Sequence, residues 1–350
     1  MNRRGTTLVE LLISLSILLV VVTIAGMLMV ETMMFSRRGQ QLADTNEAAH
    51  LAGDVLAAAL RRSGLGMGNG LLIAQGGRVT RTNPVIVVNN TGAPDELWVM
   101  RPHRDALLES CVDEGAATTA QRTGFGTISA RCAIEGWQDK ALSGPGVGLL
   151  LAVTNLKQAA LLTGVEFERS GTRPGMDLTF NEQDLSGFAS DEVSGFHQGD
   201  LIMPVVLERY FVDGDGRDGG TALFVQAGTV GATSYPVPMG PPRLVQEGIE
   251  DLQFAVGVDE TESGNPDNIR WSSGGLPAQP FTRGVKSVRV SVVAKSERTI
   301  LTTDGQVQKA AEYVPMSTED HLVDGGVPDG HRRTLYTLRV ELPNLSAGDL

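Results

Sequence analysis

The sequence is short of cysteine, of positive charge and of any spacing that carries catalysis. Two cysteines in 350 residues leave room for one intrachain bridge at most. The 29 Lys and Arg stand against 41 Asp and Glu, a formal net charge of −12. That balance argues against a nucleic-acid-binding surface, which needs clustered basic residues to replace counterions on phosphates. The five histidines, His50, His103, His197, His321 and His331, show neither H-x-x-x-H nor H-E-x-x-H spacing. There is no G-x-S-x-G, and neither cysteine has a nucleophile signature. No catalytic residue, cofactor site or metal site is therefore expected. Apolar content of 41% excludes a polytopic membrane protein and a disordered chain. The length admits one large domain or two ordinary ones.

What is present is concentrated at the N-terminus. Between Thr6 and Ser36 the charges are Glu10 and Glu31, and Leu11–Val30 holds nothing more polar than Ser14, Ser16 and Thr23. At about 1.5 Å per residue this run spans about 30 Å as a helix, the thickness of a bilayer's hydrocarbon core. A basic leader, Met1-Asn2-Arg3-Arg4-Gly5, precedes it. A cleaved secretory signal and a plain signal anchor both fit the apolar run, with Thr23-Ile24-Ala25 a passable cleavage site. A lipoprotein signal does not fit, because no cysteine follows the run. Glu10 separates the remaining readings. A carboxylate at mid-membrane costs about 2.5–3.5 kcal/mol on insertion scales and is usually kept for a partner.

Gly5-Thr6-Thr7-Leu8-Val9-Glu10-Leu11-Leu12 resembles the prepilin processing motif of type IV pilins and type II secretion pseudopilins. The resemblance implies that prepilin peptidase cuts after Gly5 and N-methylates Thr6, and that Glu10 is the fifth mature residue. Glu10 of one subunit would then neutralise the Thr6 ammonium of its neighbour, at the positive end of a helix. Two departures from the family pattern stand out. Thr6 replaces the preferred Phe, and Gly26 is the one residue able to loosen the mid-helix where major pilins carry Pro. The second points to a minor subunit.

Beyond Arg37-Arg38-Gly39 the apolar residues thin out but keep helical spacing at Leu42, Ala49, Ala52, Leu56, Ala59 and Leu60. Arg61-Arg62-Ser63-Gly64 reads as the helix end. The alternative is an anchor and a separate short helix broken at Gly39. From there on the pattern turns to short β runs. Ile249–Val258, Val285–Lys295 and the alternation at Leu338, Val340 and Leu342 read as half-buried strands with one wet face. Pro84–Val88, Glu96–Met100, Gly148–Val153, Leu201–Val212 and Thr221–Gln226 are further candidates, and Gly64–Gly77 and Gly257–Pro280 read as loops. The expected fold is α+β and pilin-like, a long N-terminal helix packed on an antiparallel β-sheet head. The expected divisions are a leader (1–5), a transmembrane or filament-core helix (6–35), its amphipathic continuation (36–62) and a β-rich head (63–350).

The segment from Leu244 to Phe254 (LVQEGIEDLQF), followed by Gly257-Val258-Asp259 and the strand Val285–Ser291, is similar to PilW-type minor pilins. This implies a structural protein that waits in the inner membrane, head in the periplasm, and then enters a type IV pilus with other minor pilins and the major pilin, supporting assembly, adhesion or motility. A minor pseudopilin of type II secretion shares every N-terminal feature. An envelope enzyme or ligand-binding protein on a membrane anchor is the alternative from another class. In such a compartment Cys111 and Cys132 favour a disulfide over a metal pair, with two buried free thiols as the other possibility. Asp213–Gly219 (DGDGRDG) alternates acids like a calcium loop, but Arg217 sits where an oxygen ligand is needed. Its literal G-x-G-x-x-G lies between strand-like runs, so a hairpin is the plain reading. Asp259, Glu260, Glu262 and Asp267 form a second acidic stretch of the same ambiguity.

Overall fold

The computed structural model describes residues 8–67, 71–75, 78–102, 125–130, 150–154, 159–162, 166–169, 176–181, 201–214, 220–230, 236–259, 269–274, 284–297, 299 and 330–346. Helix α1, Leu8–Arg62, runs unbroken for 55 residues and passes through Gly39 without a stop. Leu, Ala and Val are its commonest residues and proline is absent, so nothing in its interior interrupts the hydrogen-bond ladder. Its end is capped in several ways at once. Ser63 Oγ donates to Leu60 O at 2.6 Å. Gly64 takes φ +66° and donates its N–H to Met100 O at 3.0 Å. A left-handed glycine just past the last turn is a common helix stop.

Among the described residues sixteen strands follow. A nine-stranded sheet combines β1 (Leu71–Gln75), β2 (Arg78–Thr82), β3 (Val85–Val88), β4 (Glu96–Pro102), β6 (Leu150–Thr154), β7 (Ala159–Leu162), β10 (Leu201–Asp213), β11 (Ala222–Thr229) and β12 (Val237–Glu247). Its main path is β12-β11-β10-β6-β7-β1-β2, with β4 joined to β10 and β3 to β4. A three-stranded sheet, β5-β9-β8, is made of Phe125–Ala130, Met176–Asn181 and Glu166–Arg169. The third sheet has the order β14-β13-β15-β16, from Ile269–Ser272, Ile249–Asp259, Val285–Lys295 and Arg333–Glu341. A one-turn helix, α2 (Pro343–Ser346), follows it. Pairing is antiparallel except between β1 and β7, which run parallel. Strands β10 and β11, on either side of the Asp213–Gly219 stretch, pair antiparallel with Asp213 opposite Ala222, and residues 215–219 lie outside the described residues. Two stretches read as loops contain strands, β1 in the first and β14 in the second.

One core unites the helix with both large sheets. Ala49, Ala52, Leu56 and Leu60 of α1 meet Val85, Val87, Leu97 and Val99 from one sheet and Leu252, Phe254, Val288, Val290 and Val292 from the other. Strand β4 is buried on both faces, because Trp98 and Met100 point the opposite way into a second cluster with Met67, Leu71, Ile73 and Leu207. Strand β13 departs from its expected wet face. Asp251, Gln253 and Ala255 are buried along with Leu252, Phe254 and Val256. Part of the reason lies in the segment before β4. Asp95 N–H donates to Leu252 O at 2.7 Å, and its Oδ2 accepts from Phe254 N–H at 3.0 Å. Gln253 Nε2 donates to Ala93 O at 3.1 Å. Asp95 thus pairs with β13 where β14, opposite Val256–Asp259, does not reach. Its buried carboxylate is satisfied by backbone N–H groups, as a buried charge must be. Gly248 makes the corner between the sheets at φ +76°, and its carbonyl accepts from Lys295 N–H at 2.7 Å.

Candidate assembly site on the long helix

The first half of α1 carries apolar side chains on every face, and its large ones are exposed. Leu8, Leu12, Leu15, Leu18, Leu19, Val22, Leu28 and Phe35 are all exposed. Its few hydroxyls are turned inward. Ser14 Oγ donates to Leu11 O at 2.9 Å, Ser16 Oγ to Ile13 O at 2.8 Å, Thr23 Oγ1 to Leu19 O at 2.8 Å and Thr32 Oγ1 to Leu28 O at 2.7 Å. A hydroxyl that bonds back to its own helix presents little polarity outward, which suits an apolar surrounding. Among the described residues one helix, α1, is long and apolar enough to cross a membrane. A surface of this kind is stable in lipid or against other apolar helices, not in water. Glu10 lies in the first turn and is the first charge of the helix.

The second half is built to dock. Thr45, Ala48, Ala49, Ala52, Gly53, Leu56, Ala57, Ala59 and Leu60 are buried. These are mostly small side chains, which let the helix axis approach the four-stranded sheet closely. Gly53 marks the tightest point. A Cβ there would fall 2.5 Å from Tyr336 Cε1 and 3.1 Å from Leu338 Cδ2. The Tyr336 ring also lies against His50, with centroids 4.0 Å apart. At the near end of this docked half Thr334 Oγ1 donates to Thr45 Oγ1 at 3.3 Å. At the far end Asn344 Nδ2 donates to Arg61 O at 2.9 Å and to Ser63 O at 3.1 Å. An α2 side chain thereby satisfies carbonyls that the helix end leaves open.

The sheet beneath is pinned by an ion triad. Arg333, buried, makes a two-pronged contact with Glu250, Nε to Oε2 at 2.5 Å and Nη2 to Oε1 at 2.8 Å. Lys295 Nζ reaches Glu250 Oε1 at 3.2 Å. Burial alone would raise the Glu250 carboxyl, but the Arg333 hydrogen bonds and charge, with Lys295, outweigh it and hold the group below the usual carboxylate range. In the nine-stranded sheet Arg101 grips Glu208 at 3.0 and 2.7 Å, and Tyr210 Oη donates to the same carboxylate at 3.0 Å. Burial, with the Glu208 charge beside it, pushes the Tyr210 phenol above its ordinary range.

Of the residues singled out from sequence, Glu10 is placed on α1 as stated. Gly5, Thr6, Cys111 and Cys132 lie outside the described residues, as do His103, His197, His321, most of the acidic hairpin tip and Glu260, Glu262 and Asp267. Asp259 is buried at the end of β13, and its N–H donates to Gly284 O at 2.8 Å. His331 Nδ1 lies 2.7 Å from Ser296 O, far along the chain from His50. Among the described residues no group of three His, Cys, Asp or Glu could hold a metal ion. The sequence reading missed Gly53, Asp95 and Asn344. Gly53 had a signal, a glycine inside the Ala-rich amphipathic stripe, whereas the other two act across long separations.

Comparison with known proteins follows the same division. Residues 1–26 match the model of the prokaryotic N-terminal methylation motif. Residues 210–344, from the last part of β10 to the start of α2, match that of Type IV Pilus-assembly protein W, PilW. No curated protein matches the chain. Among solved structures, a type IV-like pilin from Thermus thermophilus is 14% identical and covers 86% of this chain and 97% of its own, at a TM-score of 0.35. That last likeness is too loose to carry an argument.

Proposed function

We propose that the chain is a type IV minor pilin of the PilW type that acts in pilus assembly, a reading supported by the two family-model matches, and that it follows this course. Prepilin peptidase cuts after Gly5 and N-methylates Thr6. The mature subunit waits in the inner membrane with residues 6–35 in lipid and its head in the periplasm. It then leaves lipid for a filament by exchanging lipid contacts along Leu8–Val30 for contacts with other stems. Glu10 fixes the axial register by pairing with the α-ammonium of an adjacent subunit, a charge pair favoured in low dielectric. Residues 36–62 couple the stem rigidly to the head at 63–350. A head of that size points to few copies, at the start or the tip of the filament. Cys111 and Cys132 form a bridge within that head.

The observation that carries this reading is a single helix, bare and apolar for its first half and docked for its second, behind a methylation motif. Pilin-type proteins of this kind are structural, and the proposal assigns no catalytic step. The test uses two variants in cells that make pili. Gly5→Ala should leave the leader attached, read as an unprocessed N-terminus by mass spectrometry. Glu10→Ala should be processed normally, with methyl-Thr6 present, yet be lost from sheared filaments. A mature N-terminus other than methyl-Thr6, or full incorporation of Glu10→Ala, would overturn it.

A further inference from the structure

The four-stranded sheet ends in a strand that is left open. Strand β16 pairs with β15 in unbroken register from Ser287 opposite Glu341 to Lys295 opposite Arg333. Its phase is fixed at both ends. Ser296 N–H donates to Arg332 O at 2.8 Å, and Leu342 N–H donates to Lys286 O at 2.8 Å. Arg332 and Leu342 therefore face β15, and so do the even-numbered residues between them, since antiparallel bonding alternates residue by residue. The N–H and C=O groups of Leu335, Thr337, Arg339 and Glu341 point the other way. No strand among the described residues pairs with that edge, and all four residues are exposed, Leu335 by 42%.

Natural sheets blunt such edges with short strands, proline, bulges or charge, and of these β16 has only charge, in the exposed Arg339–Glu341 pair. The long edge strand of the other sheet, β12, is blunted in the expected ways. It carries Pro238, Pro241 and Pro242, and its pairing with β11 slips twice. Strand β14, at the far end of the four-stranded sheet, is four residues long. Strand β16 has nine residues, no proline, no glycine and no bulge. It also runs alongside α1 in the same direction, as the contacts Thr45 with Thr334, Gly53 with Tyr336 and Leu338, and Arg61 with Asn344 show in order. A subunit that packs its stem along α1 in parallel carries its own head to the head end of this helix, the end at which the edge lies.

We propose that the free edge of β16 receives an extended strand from the head of an adjacent pilin-type subunit, continuing the four-stranded sheet beside the stem. Backbone hydrogen bonds from Leu335, Thr337, Arg339 and Glu341 carry the contact, and side-chain identity contributes less, the usual economy of strand addition. The proposal rests on the reading of the chain as a filament subunit.

Leu335→Pro tests it with the full chain in piliated cells. Proline removes an N–H that points outward, so the bonds to β15 stay intact and the fold is kept. The expected result is a loss of about tenfold or more from sheared filaments, against normal levels for Leu335→Ala, which keeps the backbone donor. Equal incorporation of the Pro and Ala variants would overturn strand addition alone. Absence of the wild-type chain from filaments would instead overturn the functional reading beneath it. Should Leu335→Pro fail to fold, amide hydrogen exchange on the wild type decides. The odd-numbered amides of 335–341 should exchange fast in detergent and become protected in filaments, and fast exchange in both overturns the proposal. A detergent-solubilised chain that dimerises, and loses the dimer on Leu335→Pro, assigns the edge to a second copy and also overturns it.

Discussion

Leu18 and Leu56 are the same residue on the same helix and meet opposite surroundings. Leu18 is 59% exposed and Leu56 is wholly buried. The difference lies in what stands around each of them in the sequence. Around Leu18 every face is apolar, so no face is marked for the head, and the segment is left for lipid or for other helices. Around Leu56 the apolar positions form one stripe of mostly small residues, and that stripe selects a partner within the chain. One continuous backbone therefore serves two environments, and the composition of each half decides which.

The comparison can be broken or sharpened by substitution, with stability read by chemical denaturation of the full chain in detergent. Leu56→Ala should have the largest effect, a loss of about 3–5 kcal/mol, because the cavity sits where the helix and both sheets meet. Glu250→Gln comes next, at about 2–4 kcal/mol, since it leaves the buried Arg333 guanidinium without its charge partner. This effect has a pH signature. The folded-state pKa of Glu250 is depressed below 4.5. Its contribution is complete above the unfolded value and is lost as pH falls through the folded one, so the gap between wild type and variant should narrow below about pH 4.5.

Gly53→Ala should cost less, about 1–2 kcal/mol, because the crowding against Tyr336 outweighs the gain of about 1 kcal/mol in helix propensity. In a Tyr336→Ala background the same change should become neutral or stabilising, which isolates the contact. Leu18→Ala should be smallest, within about 0.5 kcal/mol for unfolding of the head, since the side chain touches no part of it. A large effect of Leu18→Ala on that transition would erase the distinction between the halves.

Much of this was legible from pattern alone. The helix stripe, its stop at Arg62 and Gly64, and the strands β13, β15 and β16 follow from periodicities of 3.6 and 2 and from cap chemistry. Glu10 falls in the first turn of that helix, where its place in the apolar run puts it. What escaped did so for physical reasons. Strand β12 is missing from the expected strands: it holds three prolines and a glycine, and its place is set by pairing with β11, not by its own propensity. Ala159–Leu162 is a four-residue apolar run that periodicity cannot assign, and its parallel pairing with β1 joins segments far apart in sequence. Asp251 and Gln253 were read as wet because they alternate with apolar neighbours. They are buried, and Gln253 bonds Ala93 O from the segment packed beside β13. No local signal marks Asn344 as the residue that closes α1.

That closure has a consequence for the order of events as the chain is made. Asn344 and Arg61 are 283 residues apart, and β15 and β16, on which the docked half of α1 rests, also come late in the sequence. Contacts of such separation form slowly, because a long loop must close before they are rewarded. The stem is therefore ready for the membrane long before the surface that its second half needs exists. Until Arg333–Glu341 has been synthesised, Ala49, Ala52 and Leu56 lack the sheet they are shaped to meet, and the nascent chain is at its most vulnerable to aggregation and proteolysis.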